Sequence, residues 1–207
     1  MPRETILIGY SGHAYVAYDA LLSGGYSVRS YAEREEKSNN PFHLHYLGNE
    51  SEAAVQDKIK SMDYFIAVGD NAIRGKIYNT LVTQTGNRPV NAMHLRAVVA
   101  STAQYARGIL FAAGCIVNPF AKIGNGVICN SGSIIEHECT IGDFVHVAPG
   151  TVLCGNVTVG EKSFIGANSV VREGITIGKN VIIGAGTVVT KNVPDNVKVV
   201  GNPFRFL

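Results

Sequence analysis

From residue 99 to residue 189 an apolar side chain returns at every sixth position: Val99, Tyr105, Phe111, Val117, Ile123, Cys129, Ile135, Ile141, Val147, Leu153, Val159, Ile165, Val171, Ile177, Ile183 and Val189. Two residues earlier stands a small or β-branched partner, as at Ala121, Val127, Ser133, Thr151 and Ser163, and glycine often follows directly, as at Gly124, Gly142, Gly160 and Gly166. Neither the 3.6-residue repeat of a helix nor the alternation of a hairpin strand keeps a period of six over this length. Short strands joined by tight corners do. Three hexads then make one coil of about 18 residues, every sixth side chain points into a triangular prism, and each coil hydrogen-bonds to the next. The pattern predicts a parallel β-solenoid over residues 96–207.

Residues 1–95 follow a different rhythm. TILIGY is a short apolar strand, the turn Gly9-Tyr10-Ser11-Gly12-His13-Ala14 opens a helix running to Leu22, and YSVRSYA is a second strand. EREEKSNNP reads as a loop, FHLHYL as a short strand, SEAAVQDKIKSM as a helix, DYFIAVG as a strand, NAIRGKIYNTLVTQ as a helix and RPVNAMH as a last strand. Alternation of this kind predicts a small parallel sheet with helices on both faces, about one mononucleotide-binding half in size. The fold class is therefore α/β plus β-solenoid, a Rossmann-like domain followed by the coil.

Composition narrows the partners. With 207 residues, 46% of them hydrophobic, the chain has ample material for a core. Lys and Arg number 18 against 16 Asp and Glu, and no basic run tracks a phosphate backbone, which argues against nucleic acid and for a small-molecule substrate. The start MPRETILIGY lacks the basic-then-apolar pattern of a secretion leader, and no apolar stretch reaches the ~20 residues of a membrane span, so a cytoplasmic protein is expected. Cys115, Cys129, Cys139 and Cys154 show no C-x-x-C spacing and read as buried thiols. No metal site is expected, since a histidine-based zinc centre needs three converging imidazoles and the coil has two.

Two places carry chemistry. Gly9 and Gly12 lie at the carboxyl end of the first strand, where the following helix offers free N–H groups to a phosphate. Gly69 makes a second turn at the same edge, with Asn71 and Arg74 just beyond it. His13 either contacts a ligand or caps the helix, His43 and His45 face solvent, and His94 is a hinge residue. In the coil, Ile135 points inward, so His137 and Glu138 project outward at a corner. His146 precedes inward-facing Val147 and is expected to point out as well, half a coil away. One coil above His137 stands Gly155, leaving room beside the imidazole and a backbone N–H able to face an oxyanion. The two histidines meet only between chains, so a homotrimer with a cleft at each interface is expected.

The G-x-S-G-H turn, the segment IAVGDNAIR, the coil stretch NSGSIIEHECTIGDFVHV and the GNP tail together resemble bacterial hexapeptide-repeat sugar acetyltransferases of the sialic-acid and bacillosamine pathways. The resemblance implies a left-handed β-helix and transfer of acetyl from acetyl-CoA to an amino group of a nucleotide-linked sugar, with uridine diphosphate the first expectation. It makes His137 the general base, supported by Glu138, with Asn130 and Glu136 lining the acceptor site. His146, Gly155, Ala167 and Ala185 would hold the donor, and Ser11, Gly12, His13, Glu33 and Gly69 the nucleotide. Tyr10, Ala14 and the pair Ala32-Glu33 depart from the family pattern at positions expected to face the base. O-acetylation of a sialic-acid-type sugar and a non-catalytic nucleotide-sugar scaffold are the competing readings.

Overall fold

The computed structural model describes residues 3–207. Its N-terminal part is a four-stranded parallel sheet ordered β3-β2-β1-β4, built from β1 (Arg3–Ile8), β2 (Tyr26–Ala32), β3 (His45–Tyr46) and β4 (Asp63–Ile66). Helix α1 (Gly12–Ser23) covers one face, through Ala14, Ala17 and Leu21 packed on Leu7 and Phe65. Helices α2 (Ala53–Ser61) and α3 (Asn71–Thr85) cover the other, with Val55, Ile59 and Leu81 against Ile6, Ile8 and Ile66. Side chains alternate across a strand, so consecutive Ile6, Leu7 and Ile8 serve both clusters in turn. The FHLHYL segment contributes only His45–Tyr46 to the sheet.

Beyond the sheet the chain winds into a prism of two-residue strands separated by four-residue corners. Ladder partners are 18 residues apart on all three faces, as Ile128 with His146 on the first, Ile134 with Val152 on the second and Lys122 with Thr140 on the third, until the last coil, where Ile182 pairs with Lys198. Every in-phase residue from Phe111 to Val189 is buried. Tyr105 is the exception to the hexad rule: it is 47% exposed, and Val99 is only half-buried, because they belong to the first coil, which has no coil beneath it. RPVNAMH does not join the N-terminal sheet either. Ala92–Met93 pairs with Leu110–Phe111 and starts the first face of the prism. At the far end Arg205–Phe206 folds back antiparallel on Lys198–Val200, and Phe204 packs against the last coil.

The N-terminal domain sits on the first face. Leu110, Ala112 and Ile128 project outward from the prism, yet all are buried in one cluster with α1 and the sheet. Apolar residues pointing out of a solenoid need a cover, and the small domain provides it.

Candidate active site

Between the carboxyl ends of β1 and β4 lies a cavity of about 750 Å³, walled by Gly9 and Ser11 on one side, Val68, Gly69 and Lys76 on another, and Glu33 and Arg34 above. Gly9 adopts φ +88, and a Cβ there would come within 2.8 Å of Val68, so the turn needs glycine at this place. Ser11 is the N-cap of α1 but makes no side-chain capping bond, and no acidic residue sits in the first turn. The hydroxyl and the helix N-terminus are thus left for an anionic ligand. Glu33 accepts from the backbone N–H of Tyr10 at 3.1 Å and of Arg34 at 3.0 Å, which aims its carboxylate at the Gly9 turn.

Tyr10 and Ala14 do not face this cavity. Tyr10 is buried, its hydroxyl 2.9 Å from Asn40 Oδ1, and Ala14 is packed under the sheet. Tyr10 follows the end of β1 and the positive-φ turn at Gly9, and that turn, where strand alternation no longer applies, leaves its side chain in the α1 cluster.

His137 stands at the corner between the second and third faces. Its side chain is 58% exposed, and its Nδ1 lies 3.1 Å from Glu138 Oε2. A carboxylate only accepts, so Nδ1 carries the proton and Nε2 presents a lone pair. Glu138 takes φ +63 to make this contact at the corner. Gly155 lies directly above: a Cβ on it would fall 2.5 Å from Cε1 and 2.6 Å from Nε2 of the ring. The Asn156 N–H bonds the His137 carbonyl at 2.9 Å, and Gly155 accepts at its own carbonyl from Gly174. No described residue accepts from the Gly155 N–H. Glu136 lies one residue before the imidazole, half-buried.

His146 is placed differently from the expectation of an exposed, outward histidine. It does point out of the prism, but from the first face, under the N-terminal domain, and is 8% exposed. Its ring lies 5.9 Å from that of His13 and 5.0 Å from that of Phe164. Asn130 Oδ1 accepts from the Ser131 N–H at 2.8 Å, which turns its amide nitrogen toward His146 Nε2 at 3.0 Å. The proton is then on Nδ1, which is sealed from solvent without a partner of hydrogen-bonding geometry, although the Gly69 backbone is near enough to favour the protonated ring slightly. Burial first, then the Arg74 charge and His13, holds His146 at about 3. Burial and Arg74 hold His13 at about 4. Both imidazoles are neutral at neutral pH, and neither ring of this pair is an accessible base.

Asn130 likewise is joined to His146 and not to the His137 of its own chain, because it opens the corner between the first and second faces. Ala167 and Ala185 stack one coil apart at that same corner, where the Gly186 N–H bonds the Ala167 carbonyl at 2.8 Å. The expected donor and acceptor residues therefore divide between two edges of one prism.

Arg74 and Asn71, just beyond the Gly69 turn, link the two domains by donating to carbonyls of the coil. The hexad pattern carries no information about contacts between the coil and residues 64–74, so the sequence did not reveal this role. Among the described residues, no cluster of three His, Cys, Asp or Glu side chains converges, and no helix is long and apolar enough to cross a membrane.

Comparison with known proteins accounts for both halves of the chain. Residues 4–81 match the PglD N-terminal domain, and residues 156–191 match the hexapeptide repeat of succinyl-transferase. A perosamine N-acetyltransferase variant from Caulobacter crescentus, with a histidine replaced by asparagine and solved in complex with CoA and GDP-perosamine, is 30% identical over 99% of this chain and 96% of its own, with a TM-score of 0.92. The acetyltransferase domain of PglB from Neisseria gonorrhoeae, solved with acetyl coenzyme A, is 28% identical over the full length of both chains, also at 0.92. WeeI from Acinetobacter baumannii, at 23% identity and a TM-score of 0.75, shares the fold. With a PglD-type domain seated on a hexapeptide coil and a likeness that runs from end to end, the chain belongs to the bacterial hexapeptide-repeat sugar acetyltransferase family.

Proposed function

We propose that the protein is an acetyl-CoA-dependent N-acetyltransferase acting on a nucleotide-linked amino sugar, with His137 as general base. The observation that carries the assignment of the base is the geometry at the second corner: Nδ1 tied to Glu138, Nε2 free, and Gly155 above it, where any side chain would run into the imidazole. The sugar amine attacks the thioester carbonyl and forms the C–N bond. Its proton passes to His137 Nε2, the C–S bond breaks, and the CoA thiolate leaves and takes up a proton. An imidazole with an unshared Nε2 lone pair is suited to take up this proton. The Gly155 N–H, free of coil-to-coil bonding, suits the developing oxyanion.

Ser11, Gly12, His13, Glu33 and Gly69 hold the nucleotide in this reading, with the cavity at the β1 and β4 turns supplying the space and the helix N-terminus meeting the diphosphate. Asn130 and Glu136 contact the acceptor sugar. The relatives solved with CoA, acetyl coenzyme A or GDP-perosamine support both ligands, and they speak against a scaffold without chemistry.

The active enzyme in this reading is a homotrimer. The outer side of the second face is a column of Val98, Ile116, Ile134, Val152, Val170 and Val188, with Val98 and Val170 exposed in the single chain. An aliphatic stripe of this kind is stabilised by packing against copies of itself. A prism that turns this face to a threefold axis brings its His137 and Gly155 corner beside the neighbouring copy's corner of Asn130, Ala167 and Ala185. The two edges that stay apart within one chain then form one cleft for the donor. His146 supports that corner through Asn130 and keeps its place in the donor site by this route. A cytoplasmic location fits free, buried thiols such as Cys115, raised by burial to about 12, and Cys129.

The test is thiol release from acetyl-CoA with UDP- and GDP-linked 4-amino sugars, comparing the wild type with His137→Ala. Turnover is expected to fall by about 10²–10⁴ while acetyl-CoA still binds. A variant that turns over at the wild-type rate removes His137 from the mechanism.

A further inference from the structure

Arg74 is the largest fully buried side chain, 1% exposed, and no carboxylate of the described residues hydrogen-bonds it. Burial of this charge lowers its pKa to about 9, still well above neutrality. Each of its five N–H groups nevertheless finds an acceptor. Nε donates to the Gly126 carbonyl at 2.7 Å, Nη1 to those of Val68 and Gly69 at 3.0 and 2.9 Å, and Nη2 to the Phe144 carbonyl and to Asn71 Oδ1, both at 2.8 Å. A planar guanidinium with five fixed donors is the side chain able to satisfy such a ring of carbonyls. Asn71 extends the link, its amide donating to the carbonyls of Lys162 and Ser163 at 3.0 and 3.1 Å. Gly126, Phe144 and Lys162 occupy the same corner of three successive coils, one coil of 18 residues apart. Two neighbouring side chains at the start of α3 therefore bind three coils to the Val68–Gly69 turn.

That turn is also a wall of the nucleotide cavity, and a Cβ on Gly69 would lie 3.7 Å from His13. The first-turn residues of α3 are thus fixed to the coil on one side and to the cavity on the other. We infer that Arg74, assisted by Asn71, is a positioning residue for acceptor transfer: it sets where the nucleotide-holding domain stands relative to the acetyl-transferring corners of the coil. The inference rests on the acetyltransferase reading above. A misplacement of about 1 Å in a bound acceptor costs on the order of 10²-fold in rate, and loss of the rivet permits a shift of that size without touching either binding site.

The experiment compares Arg74→Met, Arg74→Lys and Asn71→Ala with the wild type on two acceptors: the nucleotide-linked amino sugar, and the same amino sugar without its nucleotide at high concentration. For the nucleotide sugar, kcat is expected to fall about 10²-fold in Arg74→Met and about tenfold in Asn71→Ala, with the KM for acetyl-CoA within twofold. Arg74→Lys recovers part of the loss, since an ammonium reaches at most three of the five acceptors. The free amino sugar, which does not use the N-terminal domain for its placement, reacts in all three at rates within about twofold of the wild type. Equal losses on both acceptors indicate general damage to the fold and overturn the inference, as do unchanged rates on both. Should Arg74→Met fail to fold, Asn71→Ala, which leaves the buried charge in place, decides. A wild type without activity on any nucleotide-linked amino sugar overturns the acetyltransferase reading itself.

Discussion

Replacing Gly155 with alanine isolates the chemistry of the second corner. The backbone tolerates it, because Gly155 is not among the residues with positive φ. The new methyl carbon would sit 2.5 Å from Cε1 and 2.6 Å from Nε2 of His137, whereas carbon atoms in contact prefer about 3.5–4.0 Å. The ring must therefore move by about 1 Å or more. It is the exposed end of a rotatable side chain, held by a single contact to Glu138 that is itself exposed, so it swings outward at little cost. Stability is expected to change by less than about 1 kcal/mol, read as a nearly unchanged melting temperature. Turnover is expected to fall about 10²-fold, the effect of displacing a reacting group by that distance. The assay is thiol release from acetyl-CoA at saturating nucleotide amino sugar, with His137→Ala and the Gly155→Ala/His137→Ala double variant alongside. If the methyl acts through the imidazole, the double variant is no slower than His137→Ala alone. Wild-type turnover in Gly155→Ala would refute the reasoning, and so would a second full loss on the His137→Ala background.

Glu138→Gln keeps a hydrogen-bond acceptor for Nδ1 but removes the charge; because the pair is exposed, the loss in kcat is expected to be modest, below about tenfold, and a larger one would make Glu138 more than a support. Val152→Lys places a charge in the middle of the aliphatic stripe on the second face and is expected to give monomers in light scattering with activity lost in parallel; active monomers would sink the interchain cleft. The low values of His13 and His146, about 4 and about 3, set a pH dependence. Below about 6.5 the unfolded chain binds protons at these rings that the folded protein refuses, so this contribution is complete above 6.5 and is lost as pH falls toward the folded values. The slope is at most about 1.4 kcal/mol per pH unit for each histidine. Denaturant midpoints measured from pH 7 down to 5 are expected to fall, and His13→Gln to flatten the decline; an unchanged slope in that variant would remove His13 from the account.

The six-residue period alone determined the prism. It also determined which side chains enter it, that His137 stands outside it, and that Gly155 lies above the imidazole, because a solenoid is a local structure in which each coil meets its neighbours at a constant spacing. The βαβ alternation and the two glycine turns were equally local, and they located the nucleotide-sized cavity. Where the chain folds back across long separations, the period was silent. His146 obeys the hexad rule and still is buried, because only tertiary packing decides that the small domain covers the first face and leaves the second bare. Arg74 and Asn71 stand just beyond a glycine turn in the sequence, and nothing local shows that they also bond coil carbonyls 52 to 92 residues away. Tyr105, inward by phase, is exposed because a terminal coil lacks the neighbour that would bury it. Periodicity reports the direction of a side chain relative to its own coil. What stands in front of that side chain is a property of the assembled domains.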